Sequence, residues 1–212
     1  MSVRMPVLGT LGALRLLAFA LVGTGSSEGQ GRTQLLPPEQ FARIADQGAR
    51  SRALFTEAAK VMTSPRCVNC HPAGNHPLQG EDEHVHEPAV ACGEANDGVP
   101  GLHCSACHTD RNVNVTGATT YQSIPGSARW SLAPVEMAWQ GKSIGDICNQ
   151  IKDPKHNGGR DLALLHEHMA TDDIVAHGWD PGAGRTAAPG TQKVFGELIQ
   201  AWIDTGAACP AS

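Results

Sequence analysis

Two short pentads constrain this chain of 212 residues more than anything else in it: Cys67-Val-Asn-Cys70-His71 and Cys104-Ser-Ala-Cys107-His108. A pair of thiols spaced this way serves zinc, a redox disulfide or the covalent attachment of a haem. Zinc ribbons place their second pair about 15–20 residues after the first, and the step from Cys70 to Cys104 is much longer. A thioredoxin-like disulfide sits in a βαβ context, which neither pentad has. The histidine directly after each pair is the informative residue. When two thiols join a porphyrin as thioethers, an imidazole at the next position reaches the iron from the same side. Zinc has no need of a histidine there twice over. The pentads therefore read as attachment points for two haem c groups. Cys67, Cys70, Cys104 and Cys107 would form the thioethers, and His71 and His108 would be iron ligands.

Composition points the same way. The chain is 41% apolar, but it has only four Trp, four Phe and one Tyr, against 24 Gly and 14 Pro. So many turn-formers leave short elements and a thin side-chain core, with room for something else in the interior. A net charge of -5 with no basic run gives no footprint for nucleic acid,.

At the N-terminus, Arg4 and Arg15 precede the apolar block Leu16 to Val22, and small residues follow it. This reads as a secretory signal over 1–25, too short to span a bilayer, with a Gly/Ser/Gln-rich linker over 26–36. No other run is apolar enough to cross a membrane. The remaining domain, 37–212, is expected outside the cytoplasm, in a compartment that oxidises thiols.

Helical spacing recurs in four places. One helix is expected from Pro37-Pro38 through Phe41, Ile44, Leu54, Phe55, Ala58 and Met62, ended by Pro65,. Residues 71–128 show no periodic apolar pattern and read as loops around the pentads, a length of loop that needs a cofactor to hold it. Helical spacing returns in "VEMAWQGKSIGDICNQIKD", through Met137, Ile144, Ile147, Cys148 and Ile151 with a Gly pause in the middle, then from the cap Asp161 to about Ala176, and from Val194 to Gly206,. The class is mainly α, with long loops, as one domain.

With its paired pentads, the chain resembles the diheme c-type cytochromes of bacterial periplasms. Further segments carry a narrower likeness: "CVNCHPAG" followed by "PLQG", "PGLHCSACH", "LAPVEMAW", "KDPKHNGGR" and the closing "WIDTGAACP". This set is similar to small exported proteins catalogued as isoquinoline 1-oxidoreductase subunits and covers most of residues 58–210. The resemblance implies cytochrome c-like helices and loops packed around two covalent haems. It also implies an electron-transfer role beside a periplasmic partner, such as a molybdenum hydroxylase-type dehydrogenase. The chain has no molybdopterin, iron–sulfur or dinucleotide signature, so it would accept electrons from such an enzyme and not perform the oxidation itself.

The sixth iron position decides what such a site does: Met raises the potential, His lowers it, and a vacancy invites oxygen or peroxide chemistry. Eight histidines remain besides the pentads. His84 and His86 lie in the acidic loop "EDEHVHEP" between the pentads, where a solvated role competes with ligation. His86 is the preferred ligand, because the resemblance implies a histidine just before the acidic-Pro step. In "LLHEHMATDD", His166 and His168 stand about 200° apart around a helix, so only one can face a given haem. His168 leads there, followed by His166 and Met169; for Met169, core packing is the ordinary alternative. Met137, beside Trp139, reads as packing against a haem edge. Bis-His ligation of both haems is the leading expectation, with one Met-ligated haem second. Among the remaining cysteines, Cys148 and Cys209 would join the C-terminal helices and leave Cys92 free in a flexible loop, although spacing also allows Cys92 to pair with either. The function expected is electron transfer between a periplasmic oxidoreductase and a further acceptor. The alternative is a diheme enzyme of peroxidase type, or a gas or redox sensor, with one open haem site.

Overall fold

A computed structural model describes residues 1–2, 34–118 and 121–212. The expected signal over 1–25 and most of the linker over 26–36 lie outside the described residues. The chain divides into the units Met1–Gln30 and Gly31–Ser212, and every element below belongs to the second.

The class is mainly α. Among the described residues, six α-helices carry the fold: α1 Gln47–Met62, α2 Pro65–Val68, α3 Ile144–Ile151, α4 Leu162–Thr171, α5 Asp173–Ala176 and α6 Gln192–Asp204. Between α2 and α3 the chain makes three antiparallel hairpins of two residues per strand. They are β1 Leu78–Gln79 with β2 His84–Val85, β3 Gly98–Val99 with β4 Leu102–His103, and β5 Val113–Asn114 with β6 Ser123–Ile124. Ladders this short cannot hold a segment together by themselves. Among the described residues, no helix is long and apolar enough to cross a membrane.

The helices bury their apolar faces against one another. α6 packs along both α1 and α4, and Trp202 meets Phe55 with ring centroids 5.1 Å apart. Leu54, Met62, Ile147, Leu198 and Ile199 fill in around that pair, each almost wholly buried. Ser51 ties the C-terminal segment down from inside. Its hydroxyl donates to the Trp202 carbonyl (3.2 Å) and accepts from the Ala208 N–H (2.9 Å). Cys148 on α3 and Cys209 form a disulfide, the pairing expected to join the C-terminal helices. Cys92 is free, as expected, and lies in a loop where it is buried. Its N–H donates to Asn75 and its carbonyl accepts from Gly98. Burial raises its thiol pKa, which favours the neutral form,.

Four helix boundaries differ from the periodicity, each for a local reason. The stretch expected to be helical from Val135 is a 3-10 turn, Val135–Met137, and α3 starts afresh where the Ser143 hydroxyl accepts from Asp146 N–H (3.1 Å),. The expected first helix is a 3-10 turn, Pro38–Phe41, followed by a break. Asp46 is extended there, and its carboxylate accepts from Ala49 N–H (2.6 Å), which starts α1 afresh,. Pro65 does not end a helix but opens α2 at a first-turn position, where its missing N–H costs nothing,. The helix from Asp161 stops at Thr171. Asp172 leaves helical geometry, with φ -69 and ψ 133, and caps α5 by accepting from Ile174 N–H.

Candidate cofactor clefts

Each pentad forms one helical turn. His71 N–H donates to the Cys67 carbonyl (3.1 Å), and His108 N–H donates to the Cys104 carbonyl (2.9 Å). Residues three and four apart share a helical face, so both thiols and the imidazole of each pentad point the same way. The first turn is built on α2, and the second is a 3-10 turn, Cys104–Ala106. The second turn is pinned from behind, where Cys104 N–H donates to Asp97 O (2.7 Å). Gly98 allows that approach. Its φ is +108, and a side chain there would lie 2.9 Å from Cys104 N and 2.5 Å from Leu102 O.

The two turns face two clefts. Cys67, Cys70 and His71 line the first, which holds about 1120 Å³ of empty space with its open mouth included. Cys104, Cys107 and His108 line the second, of about 1200 Å³ on the same measure. Both pentad imidazoles are oriented by the same device. His71 Nδ1 lies 2.7 Å from Met137 O, and His108 Nδ1 lies 2.7 Å from Pro125 O. A carbonyl only accepts, so each Nδ1 carries the proton and each Nε2 keeps its lone pair. Metal-bound histidines are held in this way. Each ring also lies flat on a tryptophan. His71 stacks on Trp139 at 3.7 Å and 3°, and His108 stacks on Trp130 at 4.4 Å and 2°.

Burial keeps these imidazoles neutral. It lowers His71 to about 4 against the pull of its hydrogen bond to Met137, and the neighbouring His168 adds to the fall,. His108 is lowered for the same leading reason, with His86 and Arg185 contributing. Burial likewise pushes the Cys67 thiol up to about 12 and the Cys70 thiol up to about 11.

Besides the pentad histidines, His156, His168 and His177 line the first cleft and His86, His103 and His177 the second; the two that the sequence favoured, His86 and His168, are among them. His86 lines the second cleft, its ring centroid 6.0 Å from that of His108. Two imidazoles on opposite sides of one metal ion stand ~6 Å apart, given a metal–nitrogen bond of ~2.0 Å on each side. His168 lines the first cleft with His71. Neither His84 nor His166 lines either cleft; the exposed His84 instead pairs with Asp82 at 2.6 Å. Met137 and Met169 both line the first cleft. Met169 is buried in the core as well, and Met137 contributes the carbonyl that holds His71.

The clefts share a wall. Arg66, Cys70, Leu132 and His177 line both, and His177 meets the edge of Trp130 at 4.9 Å. Arg66 is 7% exposed and donates through one terminal nitrogen to Gly80 O and Glu81 Oε1, both at 3.0 Å. Its Nε and the Nδ1 of His177 are buried without a hydrogen-bond partner. Two orphaned polar nitrogens on a wall between two clefts are what an anionic ligand group would satisfy. Arg185 adds positive charge close by, while its own hydrogen bonds go to Ser123 and Pro181.

No group of three or more His, Cys, Asp or Glu side chains is arranged to hold a bare metal ion among the described residues. A porphyrin-bound iron asks the chain for one or two axial side chains only, and each cleft has more than one histidine in its lining. Sequence reasoning placed both pentads, His86 and His168. It missed the shared wall, since a buried Arg66 and His177 leave no periodic signal, and it missed Trp130 altogether. No protein family, curated protein or solved structure compared with the chain matches it.

Proposed function

We propose that each cleft holds a haem c, one joined to Cys67 and Cys70 and the other to Cys104 and Cys107, and that the protein is a diheme electron carrier. The observation that carries this reading is the repeated arrangement around two independent pentads. In both, two thiols, an imidazole whose Nδ1 is bound to a carbonyl, and a further histidine line one apolar cleft. The porphyrin iron supplies reversible one-electron chemistry when bound. The chain's own part is to hold and insulate. His71 with His168, and His108 with His86, would be the axial pairs. Trp139 and Trp130 keep the pentad rings from turning, and Arg66 and His177 offer donors to carboxylates on the facing edges of both groups. Filling both axial positions leaves no vacancy for oxygen or peroxide, which favours a carrier over the enzyme or sensor alternative. We further propose export to the periplasm and a redox partner protein there, such as a molybdenum hydroxylase-type dehydrogenase.

The test is to mature the chain in a periplasm with c-type attachment machinery and count haem per chain from the pyridine adduct. Visible spectra are then taken before and after dithionite and carbon monoxide. Two covalent, low-spin haems that ignore carbon monoxide are expected. A high-spin fraction that binds it would move the reading to an enzyme or sensor, and a chain with no covalent haem would overturn it.

A further inference from the structure

The four imidazoles proposed as axial ligands are not held alike. His71, His108 and His86 each donate from Nδ1 to a backbone carbonyl, those of Met137, Pro125 and Pro88 at 2.7, 2.7 and 3.0 Å. Of these four, His168 alone donates to a carboxylate, Asp172 Oδ2, at 3.1 Å; His156, which also lines the first cleft, is held by Asp153 at 2.7 Å. The pair is partly sheltered, each side chain being 27% exposed, so water screens it less than it would a surface pair.

The fold fixes Asp172 in this position. α4 ends one residue before it, and Asp172 N–H closes the last turn onto the His168 carbonyl (3.2 Å). Its Oδ1 accepts from Ile174 N–H (3.1 Å), and its own carbonyl accepts from Gln192 Nε2 on α6 (3.1 Å). The break between α4 and α5 thus turns one carboxylate to two tasks, capping a helix and holding an imidazole. Arg160 stands near His168 and Arg129 near Asp172. Arg160 lines the first cleft, where its fixed charge opposes the oxidised state, and Arg185 lines the second, where it does the same.

We propose that Asp172 is a positioning residue that makes the first cleft the lower-potential of the two sites, so that a half-reduced protein keeps its electron in the second. The inference rests on the diheme reading, with His168 as an axial ligand. A carboxylate on Nδ1–H draws that proton toward itself and makes Nε2 a stronger electron donor. A stronger donor favours the more positive, oxidised iron. His86, bound to a neutral carbonyl, lacks this push.

The experiment is a spectropotentiometric titration of the loaded protein, after haem has been counted, for wild type, D172N, D172S and D173N. Asn and Ser both keep the cap of α5, and D173N removes a neighbouring charge from a residue that does not hold His168. A fourth variant, H168M, shows which of the two midpoints belongs to the first cleft. In wild type that midpoint is expected to be the lower one. D172N and D172S should raise it, by more than D173N does, and leave the other in place. Equal shifts in D172N and D173N, joint movement of both midpoints, or a first cleft of higher potential in wild type would each overturn the inference while the diheme reading stands. Absence of covalent haem would remove both.

Discussion

His71 and Trp139 lock each other. Their rings are stacked 3.7 Å apart, and Trp139 N–H donates to the His71 carbonyl at 2.9 Å. The short 3-10 turn Val135–Met137 lies just before Trp139, and it supplies the Met137 carbonyl that takes the His71 proton. Orientation of the imidazole is therefore set by one strip of backbone and one large side chain. Because Trp139 is only 8% exposed, truncating it to alanine should cost about 3 kcal/mol or more. W139F keeps a ring and should cost less. Urea unfolding of the loaded protein measures both.

Arg66 reaches toward both clefts, so its replacement should act on both. Positive charge near an iron opposes the oxidised state, and R66M should therefore lower both midpoint potentials. That sets it apart from a change at Asp172. A fall confined to one centre would place Arg66 beside a single cleft.

His177 makes a pH dependence. Burial, then the charges of Arg66 and Arg185, then His108, bring it down from 6.5 to about 4. An unfolded chain would protonate this residue below about pH 6.5, whereas the folded protein resists until about pH 4. The unfolded state binds more protons across that window, so stability is fullest above pH 6.5 and falls as the pH drops toward 4. The part due to His177 is on the order of 3 kcal/mol. H177Q does not titrate, and its stability should fall less steeply between pH 6.5 and 4, as read by urea unfolding at a series of pH values.

The disulfide should matter for stability and little for potential. Cys148 and Cys209 are 61 positions apart, and closing a loop of that length in the unfolded chain is worth about 4 kcal/mol on the chain-entropy estimate. The double variant C148A/C209A should lose most of this in thermal or urea unfolding. Its two midpoints should match those of wild type, because neither cysteine lines a cleft.

Much of this arrangement was legible in sequence because a motif or a cap is a local statement. Cys-x-x-Cys-His predicts its own helical turn, and Asp161 caps α4 by accepting from Leu164 N–H at 2.9 Å, as its identity suggested. Helical stripes did not carry the choice of His168 over His166: Leu164, which shares the stripe of His168, is 51% exposed, whereas Leu165 and Met169, beside His166, are buried. What stayed hidden was tertiary. Asp172 reads as one more polar residue in a helical run until its carboxylate is seen divided between Ile174 and His168. His84 and His86 are equivalent in sequence and separate only because Asp82 takes up the first. Trp130 has no helical neighbours to place it, and its stack on His108 depends on loops that fold around it.

The wall between the clefts bears on assembly. Arg66 lies beside the first pentad, whereas His168, Asp172 and His177 are synthesised only after both pentads have left the ribosome. Neither cleft has its far side until that late segment has come back across the chain, and contacts of such long sequence separation form slowly. The thiols would therefore be presented on an unfinished scaffold. Closure around the captured groups would then be a single cooperative event, in which one site cannot be completed while the other is left open.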